Sequence, residues 1–146
     1  GVACEGDGAS LWWPNKDHLS DEPDSMTMSI AVPKDLVCVS NGQYLGFEDN
    51  GDNTSTYNWF VSVPINNYNV TLNIGDYEHF SEVYISEKDT LRIDYYVLHD
   101  NLEKAKEHFK QVKPMMECFE KYFVVRYLLN NIHIHIFRNI FCINYL

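Results

Sequence analysis

The chain has 146 residues, which is enough for one domain with a substantial core and too few for two ordinary ones. Hydrophobic residues make up 45% and aromatic residues 14% of the sequence, a composition that argues against disorder over most of its length. The net charge is −10, which argues against nucleic acid or an anionic membrane surface as the main partner because both attract the opposite charge.

Membrane insertion and disulfide stapling are not indicated by the sequence. No apolar run has the length of a transmembrane helix, and the first residues do not form the pattern of a signal peptide. The first residue is Gly rather than Met, which indicates either a processed chain or the start of a segment within a longer polypeptide, and we favour the second. The cysteines are widely spaced without a C-x-x-C pair, so they are predicted to be separate thiols, and the cellular compartment stays unassigned. They are Cys4, Cys38, Cys118 and Cys142.

Most of the first hundred residues have the pattern of a β-domain. Residues 1–24 are dense in Gly, Asp, Pro and Asn and are expected to form an ordered loop region around Trp12 and Trp13. The polar segment 48–55 is predicted to be a second loop. Elsewhere hydrophobic and polar residues alternate, which predicts short strands and favours an antiparallel arrangement. The predicted strands are 26–32, 36–39, 57–63, 70–74 and 91–97.

A helix is predicted over residues 100–123. Hydrophobic residues recur there every three or four positions, which is the pattern of an amphipathic helix that packs on a core. Asp100 and Glu103 have the spacing of a capping-box variant at its start. Pro114 removes one backbone hydrogen bond, so a kink rather than an end is expected at that residue.

The tail, residues 124–146, differs in composition from the rest of the chain. It contains no Asp, Glu, Gly or Pro and is rich in Ile, Asn, Phe, Leu and Tyr. These residues have AT-rich codons, so we favour a frameshifted gene end over the alternative of a genuine apolar helix or strand pair. The other reading frames beyond codon 123 would distinguish the two.

Catalytic and metal-binding motifs are missing from the sequence. A zinc peptidase with a helical metal-binding motif needs H-E-x-x-H, in which two histidines one turn apart bind the metal and the Glu activates water. None of the six histidines has that spacing. His133 and His135 would share one face of a strand, but the tail supplies no acidic residue or third ligand. We therefore predict no catalytic and no metal-ligating residue in this chain.

Four long segments nevertheless resemble one enzyme family. Residues 1–26 read GVACEGDGASLWWPNKDHLSDEPDSM, and the resemblance continues through 30–42, 57–77 and 101–123. Together these segments resemble the bacterial members of the aminopeptidase N family of gluzincin zinc metallopeptidases. The resemblance covers nearly everything before Val124.

The resemblance implies a mainly β fold: an incomplete, antiparallel, saddle-like or sandwich β-domain followed by one long C-terminal helix and the atypical tail. Residues 1–98 would be part of the N-terminal β-domain, and 99–123 would be the first helix of a truncated catalytic domain. Full-length members bind zinc and hydrolyse N-terminal residues from peptides. This chain lacks H-E-x-x-H and G-x-M-E-N, so it is expected to bind no zinc and to be inactive alone.

One residue role is implied by the family motif. In these enzymes a Glu or Gln that follows a Cys holds the free α-amino group of the substrate, and the pair Cys4-Glu5 matches it. Glu5 is therefore the predicted substrate-binding residue.

Two further expectations remain open. The alternative function is a non-enzymatic β-domain that binds a protein or glycan through aromatic residues such as Trp12, Trp13 and Trp59. Sheet edges and the helix stripe would also lack their usual partners in a truncated chain, so self-association through exposed apolar surface is expected.

Overall fold

The computed structural model describes residues 6–16, 18, 20, 22–85, 90–123, 131–137 and 140–144. They form two compact units that divide after Asp76. The first unit begins with a 3-10 helix, Gly6–Leu11, and contains strands β1 Met26–Pro33, β2 Val37–Ser40, β3 Gln43–Asp49, β4 Thr54–Val61 and β5 Leu72–Gly75. The second contains β6 Tyr77–Ile85, β7 Thr90–Leu98, helices α1 Leu102–His108 and α2 Val112–Phe123, and strands β8 Asn131–Phe137 and β9 Ile140–Asn144.

The first unit is built from two small antiparallel sheets. One has the strand order β1-β4-β3 and the other pairs β2 with β5. Every second residue of β4 is buried, which is the alternation that the sequence predicted for this strand. Trp59 of β4 is fully buried and its indole Nε1 donates to the Cys38 carbonyl of β2 at 3.2 Å, so it joins the two sheets. Cys38 is a free thiol, as expected.

Strand β3 was missed by the sequence analysis. Its register against β4 shifts between Tyr44 and Gly46, where Gly46 has φ +123°. A bulge of this kind inserts an unpaired residue and destroys the two-residue period on which the strand prediction depends. The predicted loop 48–55 was also too long at both ends, because β3 extends to Asp49 and β4 begins at Thr54.

The second unit contains a four-stranded sheet, with helices packed on its β6–β7 hairpin. Strands β6 and β7 are antiparallel, and β8 lies parallel to β7 with β9 antiparallel beside it. Parallel neighbours need a long crossover, and the helical segment between β7 and β8 supplies it. Strand β6 was also missed by the sequence analysis, because Glu82 occupies a position on the face that packs against the helices. The mainly antiparallel β fold with one helical segment is confirmed.

The helical segment packs its hydrophobic stripe on this hairpin. Phe109 is 2% exposed, and its ring stacks on Tyr95 of β7 at a centroid distance of 4.8 Å. Phe80 of β6 stacks on the other side of Tyr95 at 4.6 Å. Buried residues of the same cluster are Tyr84, Leu91, Ile93, Val97, Ala105, Val112 and Met116. The helical prediction is confirmed, and the hydrophobic stripe of the helix lies in the core of this unit.

The start of the helix differs from the prediction, whereas the helix continues through Pro114 as predicted. A 3-10 turn, His99–Asn101, precedes α1, whose N-cap is Asn101 without a side-chain cap hydrogen bond, so the capping box at Asp100 was wrong. The α-helical pattern is interrupted by a 3-10 turn at Phe109–Gln111, just before Pro114. The proline ring crowds the carbonyl four residues earlier, which lies within this turn, and so accounts for the interruption.

The tail contributes strands where the structure describes it. Both β8 and β9 lie in the tail, which fits the strand-pair alternative of the sequence analysis, while the origin of its unusual sequence stays a prediction. The assignment of 99–123 to a catalytic domain also stays a prediction; in the structure this segment shares a core with β6 and β7. No helix among the described residues is long and apolar enough to cross a membrane.

Candidate functional site

The predicted substrate-binding residue, Glu5, lies outside the described residues. What the structure describes is the segment that follows it, here called the N-terminal loop, residues 6–16. Its 3-10 helix is closed by the carbonyl of Ala9, which accepts hydrogen bonds from the backbone N–H groups of Trp12 at 3.2 Å and Trp13 at 3.4 Å. Ala9 itself is fully buried. The loop therefore has a defined course directly after Glu5.

The two tryptophans anchor this loop to the core of the first unit. Trp12 and Trp13 make an edge-to-face pair with ring centroids 6.3 Å apart. Both pack against a cluster of buried residues, Val61, Ile65 and Val70. Their indole Nε1 atoms are buried and have no hydrogen-bond partner in the described part of the chain. The tryptophans therefore contribute apolar contact rather than hydrogen bonds.

A second anchor is polar and comes from the connection between β4 and β5. Asn67 begins the short 3-10 turn Asn67–Asn69 and is 4% exposed. Its Nδ2 donates to Asn15 Oδ1 and to the Lys16 carbonyl, each at 3.2 Å. Asn15 Nδ2 in turn donates to the Trp13 carbonyl at 2.9 Å. One buried amide thus fixes the end of the loop, and sequence analysis had no signal for a contact between residues this far apart.

A cluster in the second unit contains the only buried carboxylate among the described side chains. Asp94 Oδ1 accepts from His79 Nε2 at 2.7 Å and from Arg92 Nη2 at 2.9 Å, and the His79 ring lies against Tyr96 at 4.7 Å. Because two cationic or potentially cationic groups face one buried acid, the cluster is internally compensated.

A half-buried polar network joins α2 to the hairpin. The Tyr95 hydroxyl donates to Glu82, whose other carboxylate oxygen pairs with Lys113 Nζ at 2.9 Å. The Tyr84 hydroxyl donates to Glu120 at 2.7 Å. Burial, followed by the hydrogen bond and charge of Glu82, raises the pKa of Tyr95 well above its ordinary value. The hydroxyl is therefore a permanent donor near neutral pH, with a structural role.

The described residues do not fit a zinc ion. Among them no group of three or more His, Cys, Asp or Glu side chains converges on one point. Zinc sites use three or four such ligands, and the His79–Asp94 pair supplies two. In the parallel register of β7 and β8, His133 lies opposite Asp94 and His135 opposite Tyr96, a neighbourhood that the sequence analysis did not foresee. Register alone defines no ligand set, and no chemical step is derived through a metal.

Nothing in the described residues supports the alternative function through the three tryptophans. Trp59 is fully buried, and Trp12 and Trp13 pack on the core. Large apolar side chains are exposed elsewhere, at Leu45 and Phe47 of β3 and at Val83 and Ile85 of β6. Nothing in the structure shows what contacts them, and self-association through them stays a prediction.

Comparisons with known proteins find similarity in structure only. No family model matches the sequence, and no curated protein matches it. Among solved structures, aminopeptidase A of Legionella pneumophila in complex with aspartic acid superimposes with a TM-score of 0.69 at 21% identity, over 79% of this chain and 14% of that one. An M1 zinc metallopeptidase from Deinococcus radiodurans superimposes with a TM-score of 0.70 at 16% identity, over 90% of this chain and 30% of that one.

A variant of the Deinococcus radiodurans enzyme bound to a Tyr-Ser-Ala substrate gives the same values. At these identities the likeness shows the fold alone. The chain spans less than a third of the length of each of these enzymes, and the fold it shares with them is the one that the sequence resemblance implies.

Proposed function

We propose that this chain is a segment of an M1-type zinc aminopeptidase, in which it helps to bind the N-terminus of a peptide substrate. The observation that supports this most is the structural match over 90% of the chain to an M1 zinc metallopeptidase. In the full-length protein the activity would be removal of N-terminal residues from peptides. The 146-residue chain would not hydrolyse peptides itself, because it carries no H-E-x-x-H motif.

The proposed domain assignment follows from the family resemblance. Residues 1–98 would belong to the N-terminal β-domain, and residues 99–123 would begin the catalytic domain. Zinc would be bound by residues beyond those present here, so none is expected to bind this chain. The peptide is the proposed partner of the full-length protein.

Glu5 would bind the free α-amino group of the substrate. A carboxylate about 4 Å from an ammonium group gains on the order of 4 kcal/mol at an effective dielectric constant near 20. Solvent exposure reduces such a pair to below about 1 kcal/mol. The pair should therefore favour the amine over its deamino analogue by no more than about fivefold, and binding by this chain alone should be weak. The loop that follows Glu5 in the sequence is compatible with this role, because its tryptophans pack on the core of the first unit.

The test is a titration of the labelled chain followed by NMR of the backbone amides. L-leucinamide carries the α-amino group, and isocaproamide has the same skeleton without it. We expect amide shifts in residues 6–11 with L-leucinamide and weaker shifts with isocaproamide. Glu5→Ala should abolish the difference because it removes both oxygens that could accept from the amine, whereas Glu22→Ala, at an exposed acid, should not.

Two results would count against the proposal. Equal response of the wild-type chain to both compounds would remove the role of Glu5. A response that survives in Glu5→Ala and is lost in Glu22→Ala would move amine recognition to the acidic segment around Glu22.

A further inference from the structure

We propose that the Asn50-Gly51 pair, in the turn between β3 and β4, is a site of spontaneous deamidation, at which the asparagine is converted into aspartate and isoaspartate. The inference is independent of the proposed function. The sequence contains two Asn-Gly pairs, Asn41-Gly42 and Asn50-Gly51. They carry the same reacting groups, but the fold buries the first pair and exposes the second.

The reaction needs the asparagine, the next backbone nitrogen and water. The nitrogen attacks the side-chain amide carbon, a C–N bond forms, and ammonia leaves with the proton that the nitrogen gives up. One water molecule then opens the resulting succinimide ring at either carbonyl group, which yields aspartate or isoaspartate. A following glycine favours the first step because it has no Cβ atom to crowd the attacking nitrogen.

The turn around Asn50 leaves the reacting groups open to water. Asn50 and Gly51 are both exposed, and a Cβ atom added at Gly51 would meet no other atom within 4 Å. The side-chain amide Nδ2 of Asn50 donates to Thr54 Oγ1 at 2.8 Å and to Thr56 Oγ1 at 3.1 Å. The Gly51 N–H donates to Asp49 Oδ1 at 3.0 Å. All three bonds are at the surface, so water can replace them at little cost while the ring forms.

The environment of Asn41 opposes the same reaction. Asn41 is 2% exposed, its Nδ2 donates to the Asn69 carbonyl at 3.1 Å, and its Oδ1 accepts from Thr71 N at 2.7 Å. Gly42 is equally enclosed, because an added Cβ atom would lie 2.1 Å from the Phe60 carbonyl oxygen. Ring closure would therefore break buried hydrogen bonds in a place with no room for the product.

The turn between β3 and β4 can accommodate both products at residue 50. The Thr54 and Thr56 hydroxyls accept from the asparagine amide, and each can rotate to donate to a carboxylate instead. Isoaspartate lengthens the main chain by one methylene group, which an exposed turn tolerates well. Each product also carries one more negative charge than the unmodified chain, whose net charge is −10, so that anion exchange separates them from it.

The experiment compares both sites within the same folded chain. The 146-residue protein is incubated at mildly alkaline pH in ¹⁸O-labelled water, which marks only the products formed during incubation. Chymotrypsin then cleaves between the two sites, at Tyr44 and Phe47, and mass spectrometry quantifies each peptide. We expect Asn50 to react more than about tenfold faster than Asn41, because only Asn41 must break buried hydrogen bonds. In concentrated urea the two rates should become comparable.

Gly51→Ala is the matched variant. The added methyl group has space, so the chain should fold, but it crowds the attacking nitrogen. The rate at Asn50 should fall several-fold, while the rate at Asn41 stays at its wild-type value and serves as the internal reference.

Three results would overturn the proposal. The first is a rate at Asn41 that equals or exceeds the rate at Asn50 in the folded chain. The second is equal slowing of both sites by folding, relative to their rates in urea. The third is an unchanged rate at Asn50 in Gly51→Ala, which would mean that its amide is lost without attack by the backbone nitrogen.

Discussion

The two units of the chain achieve burial in different ways. The first unit combines small sheets with irregular loops, and buried polar side chains such as Asn41, Asn67 and Ser40 bind the backbone of distant segments. The second unit packs a helical stripe on a hairpin around stacked aromatic rings, with Phe109 and Tyr95 at the centre. The stability of the first unit should therefore depend most on backbone geometry and hydrogen bonding, and that of the second on the volume of its buried side chains.

The largest effect is expected at the centre of the second unit. Phe109→Ala should lower the free energy of unfolding by about 3 to 5 kcal/mol, because the side chain is almost fully buried between ring neighbours that cannot collapse onto the gap. Urea unfolding followed by far-UV circular dichroism measures it, since α1 and α2 lie in this unit. The matched change Tyr122→Ala removes a 68% exposed ring and should cost less than about 0.5 kcal/mol. Equal effects of the two would refute the core assignment.

The corresponding test of the first unit changes the backbone. Gly42 has φ +85°, and a Cβ atom there would lie 2.1 Å from the Phe60 carbonyl oxygen. Gly42→Ala should therefore cost about 3 kcal/mol, the sum of a strained conformation and a forced shift of β4. Tryptophan fluorescence reports it, since Trp12, Trp13 and Trp59 all lie in this unit.

Gly51→Ala is its control. Gly51 also has positive φ, but no atom lies within 4 Å of the added Cβ, so only the conformational cost of about 1 kcal/mol is expected. If the two glycine variants unfold at the same urea concentration, the close approach of Gly42 to β4 is wrong.

A smaller effect is expected from the polar edge of the second unit. Tyr95→Phe removes the hydroxyl that donates to Glu82 and should cost about 1 kcal/mol at neutral pH, because Lys113 still pairs with Glu82. The difference should depend on pH. The folded state raises the pKa of Tyr95 above the value of about 10 in the unfolded chain, so the stabilisation is present below pH ~10 and is lost as the pH rises above it.

Thermal unfolding of wild type and Tyr95→Phe across this pH range tests the point. Tyr44 and Tyr57 also have raised pKa values, but they are common to both proteins and cancel in the difference. A difference that stays constant or grows above pH ~10 would contradict the buried donor role of Tyr95.

The sequence allowed prediction of those elements whose pattern matches their burial. In strand β4 hydrophobic residues occupy every second position, and in the helical segment around Phe109 they recur every three or four positions. Both patterns are typical of half-buried elements, and both elements were predicted. Strand β3 was missed because its bulge at Gly46 breaks the period, and β6 because Glu82 is stabilised on the packed face by partners far along the chain. The hydrophobic pattern of a sequence indicates neither a bulge nor a side-chain partner that is distant in the sequence.

The candidate site shows the same limit. Glu5 was proposed from a family motif and stays a prediction, whereas the role of Asn67 depends on hydrogen bonds to Asn15 and Lys16 across 51 or 52 positions of sequence. Asparagine in a polar segment is common and gives no signal of its own. Only the fold, which brings the loop against the β4–β5 connection, shows that Asn67 contacts the loop.

The proposed function holds that this chain shares its fold with a segment of M1 zinc metallopeptidases but does not hydrolyse peptides itself. Its most direct test is hydrolysis of L-leucine p-nitroanilide by the purified 146-residue chain with added zinc, before and after treatment with a chelator. We predict no turnover above the buffer control and no zinc retained after gel filtration. Chelator-sensitive turnover that copurifies with the chain, together with bound zinc in equimolar amount, would contradict the account.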